Sequence, residues 1–443
     1  MRALKTKGVI FVLLAALVLG GGALLFFLKF EGEVPTLTLV PEPKAIGKEA
    51  VFSLISEDRR SGLREIRVEL MQGGRSYAVH TESYPSGTEK VERTLTVSPV
   101  ALGLNDGEAI FRVEVKDRSW RGGNPRILEA KVHIDTRPPA LTVLSRFHYL
   151  NQGGSGAVVY KASEPLSRSG VEVDGRWFPG SSLGETGGVT LFAIPHDGST
   201  KSQINLVAED MAGNRTRTVF PHQIRPKSFR NDAIQVSEDF LQRVMPYFMD
   251  RDPTLRGEMG EVFLRVNREI RKANEERIRE LCLRSSGAPL WSGPFLRMAN
   301  AKPMAGFADR RIYLYGGKEV DRQVHLGVDL ASLTMSPVEA ANRGRVVFVG
   351  ELGIYGNMVL LDHGCGLFSM YAHLSQIQAK PGQEVAKGEI LGTTGNTGLA
   401  GGDHLHFAML VAGVYVNPVE WWDPHWVGDN VDGKLALLKS EGK

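Results

Sequence analysis

The chain has 443 residues, of which 42% are hydrophobic and 23% charged, a composition typical of folded domains. Its length predicts about two to four domains rather than one. The formal net charge of +3 is too close to neutral to indicate a nucleic-acid partner.

Residues 1–30 predict a signal-anchor transmembrane helix. The apolar run 8–28 has the length of about 20 residues that is needed to span a bilayer. Basic residues precede it, namely Arg2, Lys5 and Lys7. They predict that the N-terminus stays inside and that residues 31–443 are periplasmic or otherwise extracytoplasmic. A cleaved signal peptide is the alternative. The only candidate cleavage patch is 20–23, and apolar residues continue past it, which favours an uncleaved anchor.

Two β-rich segments follow, 34–136 and 139–225, separated by a Pro-rich break. Short runs in the first segment alternate or cluster apolar residues between turn residues, which is typical of strands: 37–40, 66–70, 93–97, 110–115 and 130–134. The two segments have similar endings, Asp117 to Asn124 and Asp210 to Asn214, which suggests a weak internal repeat. We expect two Ig-like β-sandwiches that act as spacers. Recognition of a protein partner or of wall glycan is the alternative.

The segment 231–285 predicts a helical linker or hairpin. Ser237 followed by two acidic residues is a helix-start signal. An apolar stripe on the charged stretch 257–283 is expected to pack on its neighbour. A coiled-coil dimer is possible, and the segment could instead cover a functional cleft and regulate it, or bind a protein partner.

Metal-capable side chains are concentrated near the C-terminus, in short apolar segments flanked by glycine. The set comprises His325, Asp329, His373, His404 and His406. Imidazole and carboxylate groups are the ligands of catalytic zinc, which uses three protein ligands and leaves a fourth position to water. His363, between Asp362 and Gly364, is interpreted as a structural residue.

The spacing within this set restricts the backbone. His404 and His406 would point to the same face of a strand, because side chains alternate along it. His325 and Asp329 are four residues apart, about 13 Å along a straight strand at about 3.3 Å per residue, which is too far to share one ion. We therefore expect the chain to bend at Gly327.

These motifs stand in an order that resembles the M23 family of zinc metallopeptidases, the LytM or lysostaphin-type peptidoglycan endopeptidases. The resemblance covers residues 290–422 and rests on His325-x-Gly-x-Asp329, Tyr371-Ala-His373-Leu and His404-Leu-His406-Phe, among other matches. It implies an antiparallel-β peptidase domain at 290–426. It also implies one Zn²⁺ bound by His325, Asp329 and His406, with His373 and His404 as catalytic residues. His404 is expected to be the general base and His373 to stabilise the tetrahedral intermediate, although these roles could be exchanged.

The predicted protein is therefore a mainly β, multidomain enzyme with an N-terminal transmembrane helix, two sandwiches, a helical linker and the peptidase. The expected function is zinc-dependent hydrolysis of cross-links or stem peptides in bacterial peptidoglycan during cell-wall remodelling. Its expected partners are peptidoglycan and the cytoplasmic membrane, the latter through residues 8–28. The alternative is a non-hydrolytic scaffold that activates a cell-wall amidase.

Three features remain open in the sequence. Cys282 and Cys365 could pair in an oxidising compartment or stay unpaired. The glycine-rich run 395–402 could be a plain turn or one wall of a narrow groove. A tryptophan group precedes the predicted C-terminal tail, 427–443, and is expected to cap the peptidase sheet rather than stack on sugars: Trp421, Trp422 and Trp426.

Overall fold

A computed structural model describes residues 2–440, so the last three residues of the predicted tail lie outside the described range. The chain divides into two compact units. One contains Met1–Pro138 and Glu209–Arg215, and the other contains Pro139–Ala208 and Thr216–Lys443. The protein is mainly β, with an apolar helix at its N-terminus.

The first unit begins with helix α1 (Arg2–Lys29), whose segment Val9–Phe27 is apolar and long enough to cross a membrane. The strands that follow are β1 (Thr36–Val40), β2 (Ala45–Ile46), β3 (Ala50–Glu57), β4 (Leu63–Gln72), β5 (Arg75–Ser83), β6 (Lys90–Val97), β7 (Gly107–Asp117) and β8 (Pro125–Ile134). They form one sheet in the order β1–β3–β6 and another in the order β2–β8–β7–β4–β5. All five runs predicted as strands in this segment lie within these strands.

The core of this unit follows from side-chain alternation along the strands. Along β7, Phe111, Val113 and Val115 are fully buried, whereas the residues between them are partly exposed. Buried residues of both sheets form one apolar cluster. This arrangement is compatible with a sandwich, and its assignment as Ig-like stays a prediction.

The next strands along the chain, most of whose residues belong to the second unit, form two sheets and one parallel pair. These strands are β9 (Leu141–Val143), β10 (His148–Asn151), β11 (Ser155–Ala162), β12 (Leu166–Val173), β13 (Arg176–Pro179), β14 (Ser181–Ser182), β15 (Gly187–Ala193), β16 (Ile204–Asp210), β17 (Arg215–Val219) and β18 (His222–Arg225). The sheet orders are β14–β15–β11–β9 and β13–β12–β16–β17, and β10 pairs with β18.

The predicted helical segment contains both a strand and helices. Its elements are β19 (Asn231–Gln235), α2 (Glu238–Met249), α3 (Met259–Arg265), a π-helical turn (Val266–Ile270) and α4 (Arg271–Leu281). Ser237 caps α2 as predicted, because its hydroxyl accepts a hydrogen bond from the Phe240 N–H. The first five residues differ from the prediction: β19 pairs in parallel with a strand of the C-terminal region, so tertiary pairing decides their conformation.

The C-terminal region is built on a long antiparallel sheet. Its strands are β20 (Lys302–Ala305), β21 (Arg310–Tyr315), β22 (Lys318–Val324), β23 (Val328–Ala331), β24 (Pro337–Glu339), β25 (Gly344–Glu351), β26 (Asn357–Gly364), β27 (Leu367–Leu374), β28 (Gln376–Ile377), β29 (Glu384–Val385), β30 (Ile390–Thr393), β31 (Leu405–Val411) and β32 (Val414–Val416). The long sheet has the order β20–β23–β31–β27–β26–β25–β29, and β32 pairs with β31. Smaller sheets have the orders β19–β21–β22 and β24–β30–β28.

The chain ends in short helices that are packed rather than loose. They are α5 (Pro418–Trp422), α6 (Pro424–Val427), a π-helical turn (Gly428–Asp432) and α7 (Gly433–Ser440). Trp421 is fully buried, and its indole N–H donates to the Ser155 hydroxyl over 3.1 Å. Val427 and Val431 are also fully buried, so the start of the predicted tail belongs to the core. Cys282 and Cys365 are both buried and unpaired.

A buried glutamate on α5 is hydrogen-bonded to β10 and β11. The Glu420 carboxylate accepts hydrogen bonds from the Asn151 side-chain amide over 2.8 Å and from the Ser155 backbone N–H over 2.9 Å. Burial raises the pKa of Glu420 to about 7, against the opposing effect of these hydrogen bonds.

Replacing this glutamate should change how stability depends on pH. The folded chain holds the Glu420 proton up to a pKa of about 7, whereas an unfolded glutamate releases it near 4.5. Stability should therefore fall as pH rises between these values, by up to about 3 kcal/mol from this group. In Glu420→Gln this fall of the unfolding free energy with pH should be absent. Urea unfolding of residues 31–443 across this pH range measures it. Glu276→Gln, on the exposed side of α4, is the matched control. An unchanged slope in Glu420→Gln would contradict the assignment.

Candidate metal centre

The centre forms where β23 and β31 lie side by side. These strands are antiparallel, and Asp329 on β23 is the direct partner of His406 on β31. His325 precedes β23, and the chain bends at Gly327 between His325 and Asp329. Leu405, between the two histidines of the second motif, is buried in the core. Side-chain alternation and one bend therefore bring three metal-capable side chains together.

The three candidate ligand atoms nearly touch one another. His325 Nε2 lies 2.9 Å from Asp329 Oδ1 and 3.0 Å from His406 Nδ1, and His406 Nδ1 lies 2.9 Å from Asp329 Oδ1. Ligands bound tetrahedrally to zinc at about 2.0–2.1 Å are about 3.3 Å apart, so this triangle needs only a small expansion to accept the ion. The donor set of two imidazoles and one carboxylate also suits zinc.

Hydrogen bonds outside the triangle orient the first ligand. His325 Nδ1 lies 2.8 Å from the Gly306 carbonyl oxygen, so this nitrogen donates and leaves Nε2 free as a ligand. His406 presents Nδ1 instead. Its Nε2 is buried and has no hydrogen-bond partner among the described residues.

Gly327 is required by a close approach to the second imidazole. A Cβ at this position would lie 2.6 Å from both Cε1 and Nε2 of His406 and 2.7 Å from the Phe407 carbonyl oxygen. Its φ is not in the left-handed region, so the bend at Gly327 depends on missing side-chain volume rather than on unusual backbone freedom.

Two further histidines stand beside the triangle. His373 Nδ1 donates to the Thr397 carbonyl and His404 Nδ1 to the Gly402 carbonyl, both over 2.8 Å, which leaves the Nε2 atom of each ring free. Their ring centroids are 4.8 Å apart. His373 has a φ of +63°, an uncommon conformation for a residue other than glycine, at an irregularity between β26 and β27. Such strain is concentrated at functional sites.

Burial and mutual charge interactions set the protonation of the group. Burial alone would raise the pKa of Asp329, but the surrounding imidazoles, above all His325, hold it well below its ordinary range. Burial lowers the pKa of His406 to about 4. Burial also lowers the pKa of His373, and the neighbouring imidazoles lower it further. For His404, burial is outweighed by Asp329, which raises its pKa. The carboxylate is therefore ionised and His406 is neutral, as metal ligation requires.

A residue outside the predicted set contacts the carboxylate. Arg311 on β21 donates from Nη2 to Asp329 Oδ2 over 3.1 Å, leaving Oδ1 to face the two histidines. Its side chain is 20% exposed. The sequence contains an Arg310–Arg311 pair, and alternation places only one of them on the inner face. Only the register of β21 shows that Arg311, rather than Arg310, faces Asp329, and this register cannot be read from the sequence.

A cavity of about 350 Å³ lies over the centre. Besides the five predicted residues, its wall includes side chains from the segment that precedes the domain: Ile234, Gln235, Val236, Phe240, Phe263 and Arg271. Leu399 and Gly401 of the glycine-rich run line it as well. The upstream segment therefore forms one wall of the site.

His363 lies apart from the centre. It is fully buried, and its ring nitrogens contact the Arg343 carbonyl oxygen and the Ser369 hydroxyl oxygen, each over 2.7 Å. Burial lowers its pKa to about 4. Its partners account for both ring nitrogens, so His363 acts as a structural residue.

The antiparallel sheet thus carries a buried His–Asp–His triangle that could hold one metal ion, with two further histidines beside it. Residues 323–418 match the profile of Peptidase family M23, so this part of the chain is an M23 peptidase domain. DD-carboxypeptidase/endopeptidase Mpg of Neisseria meningitidis serogroup B is 40% identical over 97 residues, 22% of this chain and 22% of that protein. Peptidoglycan DD-endopeptidase ShyA of Vibrio cholerae is 38% identical over 96 residues, again 22% of each chain.

Among solved structures, the catalytic domain of lysostaphin from Staphylococcus simulans is similar at 29% identity and a TM-score of 0.25. That match covers 28% of this chain and 92% of the lysostaphin domain. The chain spans about a fifth of the length of the curated relatives that it matches.

Adding one methyl group at Gly327 should damage the metal centre. In Gly327→Ala the new Cβ would overlap the His406 ring, so one ligand must move. We expect zinc affinity to fall by at least about tenfold, measured by competition with a chromophoric chelator. Gly402→Ala is the matched control, because a Cβ there meets nothing within 4 Å. Equal affinities in the two variants would show that the close approach is unimportant.

Removing the Arg311 guanidinium should leave the Asp329 carboxylate less well oriented for metal binding. We expect Arg311→Met to weaken zinc binding by about 10- to 100-fold, the usual effect of losing a residue that orients a ligand. Arg310→Met, the neighbour on the same strand, should keep the wild-type affinity. Thermal melting of the metal-free proteins would separate loss of the contact from misfolding. Wild-type affinity in a folded Arg311→Met protein would rule out this role.

Proposed function

We propose that the chain is a zinc-dependent endopeptidase that hydrolyses peptide cross-links or stem peptides of bacterial peptidoglycan in cell-wall remodelling. One observation carries the proposal: the ligand atoms of His325, Asp329 and His406 converge within 3.0 Å of one another, inside the segment that matches M23 peptidases. His373 and His404 stand beside them with free Nε2 atoms.

The proposed chemistry uses the two flanking histidines. A zinc ion, when bound, supplies a Lewis acid for the scissile carbonyl and lowers the pKa of water toward about 7. His404 takes the proton from the attacking water, since its Nε2 lies only 3.6 Å from Asp329 Oδ1 and therefore close to the ligands. His373 would donate to the developing oxyanion only after its Nε2 takes up a proton, against the burial that lowers the pKa of this ring. Because both Nδ1 atoms are held by carbonyls, either ring can hold or release a proton at Nε2, and the two roles can be exchanged.

The substrate class is proposed from the relatives. Two of them have names that specify peptidoglycan endopeptidase or DD-carboxypeptidase activity. The cavity suits a thin peptide, because Gly401 adds no side-chain bulk to its lining and Phe240, Phe263 and Leu399 make part of that lining apolar.

We also propose how the remaining segments serve the enzyme. The helix that contains Val9–Phe27 anchors the chain in the cytoplasmic membrane without cleavage, with its N-terminus inside and residues 31–443 outside. The two β-rich segments are Ig-like spacers between membrane and peptidase. The segment 231–285 regulates access to the centre, which is supported by its place in the cavity wall.

Digestion of purified peptidoglycan tests the proposed activity. The sample should be residues 31–443 rather than the peptidase domain alone, because Trp421 and Glu420 pack on β11. Mass spectrometry of the released fragments should reveal new peptide ends, and both zinc chelation and His404→Ala should abolish them. His425→Ala, whose side chain is 94% exposed, is the matched control and should retain full activity. Absence of new ends from a folded, zinc-loaded protein would contradict the proposal.

Ligand substitutions separate the enzyme from a scaffold that activates an amidase. A scaffold would keep its effect on growing cells in His325→Ala and His406→Ala, whereas an endopeptidase would lose it in both. The zinc content of each variant, measured in parallel, confirms that the centre has been emptied.

A further inference from the structure

The end of helix α1 is bound to two loops of the first unit. The Lys29 ammonium donates to the Ser61 carbonyl over 2.6 Å, and the Trp120 backbone N–H donates to the Lys29 carbonyl over 2.7 Å. The Arg60 guanidinium donates to the Phe27 carbonyl over 2.9 Å. The loops 58–62 and 117–124 therefore lie beside the last turn of the helix.

The residues that follow the helix are part of the folded unit. Glu31 is 4% exposed, and its carbonyl accepts hydrogen bonds from the Ser119 hydroxyl over 2.8 Å and from the Asn124 side chain over 3.2 Å. Its carboxylate accepts from the Ser61 hydroxyl over 3.0 Å. Because these hydrogen bonds hold the backbone that follows the helix, this segment is not a flexible linker. The loops cannot move away from the helix end without breaking these bonds.

The length of the apolar segment fixes where these loops must lie. Nineteen residues of helix, Val9–Phe27, span about 28 Å at about 1.5 Å per residue, close to the ~30 Å hydrocarbon thickness. If the helix spans the bilayer, Phe27 sits at the hydrocarbon boundary. Groups hydrogen-bonded to Phe27 and Lys29 then fall in the headgroup layer, which adds about 5–7 Å on each side.

The exposed side chains of the loops suit that layer. Trp120 is 58% exposed, and tryptophan is enriched at membrane–water interfaces. Arg121 follows it, with its guanidinium carbon 5.0 Å from the centre of the exposed Phe30 ring. Arg59 and Arg60 extend from the other loop, where Arg59 contacts the half-buried carboxylate of Glu57 and Arg60 the exposed carboxylate of Glu33. Exposed ion pairs of this kind contribute little stability, so phosphate groups can compete for the arginines.

We propose that Arg59, Arg60, Trp120 and Arg121 form a juxtamembrane surface that binds the anionic phospholipid headgroups around helix α1. The surface orients the first unit on the bilayer, with its two loops facing the lipid. Each arginine near an anionic surface is attracted to it, and the attraction falls off within a Debye length. This inference rests on the proposed membrane anchoring and extends it from the helix to the folded unit.

Tryptophan quenching in the full chain tests the surface. The protein is reconstituted into vesicles that contain phosphatidylglycerol and lipids brominated near the headgroup. The Trp120 signal is the difference between the wild type and Trp120→Phe, since the chain has six tryptophans. We expect the brominated lipid to remove the Trp120 emission and a water-soluble quencher to affect it little. A Trp120 signal that responds only to the water-soluble quencher would overturn the proposal.

A second reporter separates failure of the surface from failure of the anchor. Phe11→Trp, placed in the Trp120→Phe protein, reports on the helix through lipids brominated deep in the acyl chain. If this reporter is quenched and Trp120 is not, the helix is inserted and the surface is wrong. If neither reporter is quenched, both the proposed membrane anchoring and the proposed surface are wrong.

Charge reversal tests the role of the arginines. In Arg121→Glu, lipid quenching of Trp120 should decrease, and its dependence on the phosphatidylglycerol fraction should be lost. Arg75→Glu is the matched control, because Arg75 is exposed and pairs with the end of β4 that is farthest from the 58–62 loop. Equal quenching in the two variants, or a loss in both, would overturn the contribution of the arginines.

Discussion

The pairing of Asp329 with His406 across β23 and β31 is the constraint on which the metal centre depends. A shift of one residue along either strand would turn one of these side chains to the opposite face. The register is secured by burial on the other face, where Leu330 and Leu405 belong to the core. The same apolar packing that folds the sheet thus sets the distance between two metal ligands.

Burying so many polar groups together costs free energy, and hydrogen bonds from neighbouring carbonyl groups offset this cost. Three imidazoles and a carboxylate are largely buried, and each would be unfavourable there without a partner. Carbonyl groups of Gly306, Thr397 and Gly402 hold one nitrogen of three different rings. Polar groups held in this way are preorganised, so little rearrangement is needed when a ligand or substrate arrives.

Much of the centre could be predicted from the sequence because its motifs are local. The two-residue spacing of His404 and His406 indicates a shared strand face, and the four-residue spacing of His325 and Asp329 requires a bend. The conformation of His373 could not be predicted, because its positive φ arises from an irregularity in pairing with β26. Arg311 was missed because only the register of β21 distinguishes it from Arg310. Strand β19 was missed because its partner lies about 80 residues further along the chain.

The elements missed in the sequence are connected to one another. Strand β19 pairs with β21 over five residue pairs, among them Asp232 with Arg311, and the Val236 N–H continues the pairing by donating to the Leu314 carbonyl over 2.8 Å. Helix α2 begins at Glu238, only two residues after Val236. The backbone that leads into the helical wall is therefore bonded to the strand that carries the arginine of the metal centre.

A movement of α2 and α3 that begins after Val236 would widen the cavity and leave the β19–β21 pairing intact. A movement that pulls β19 away would also displace β21, and with it the contact between Arg311 and Asp329. A hinge between Val236 and Glu238 would therefore widen the cavity and keep the contact between Arg311 and Asp329.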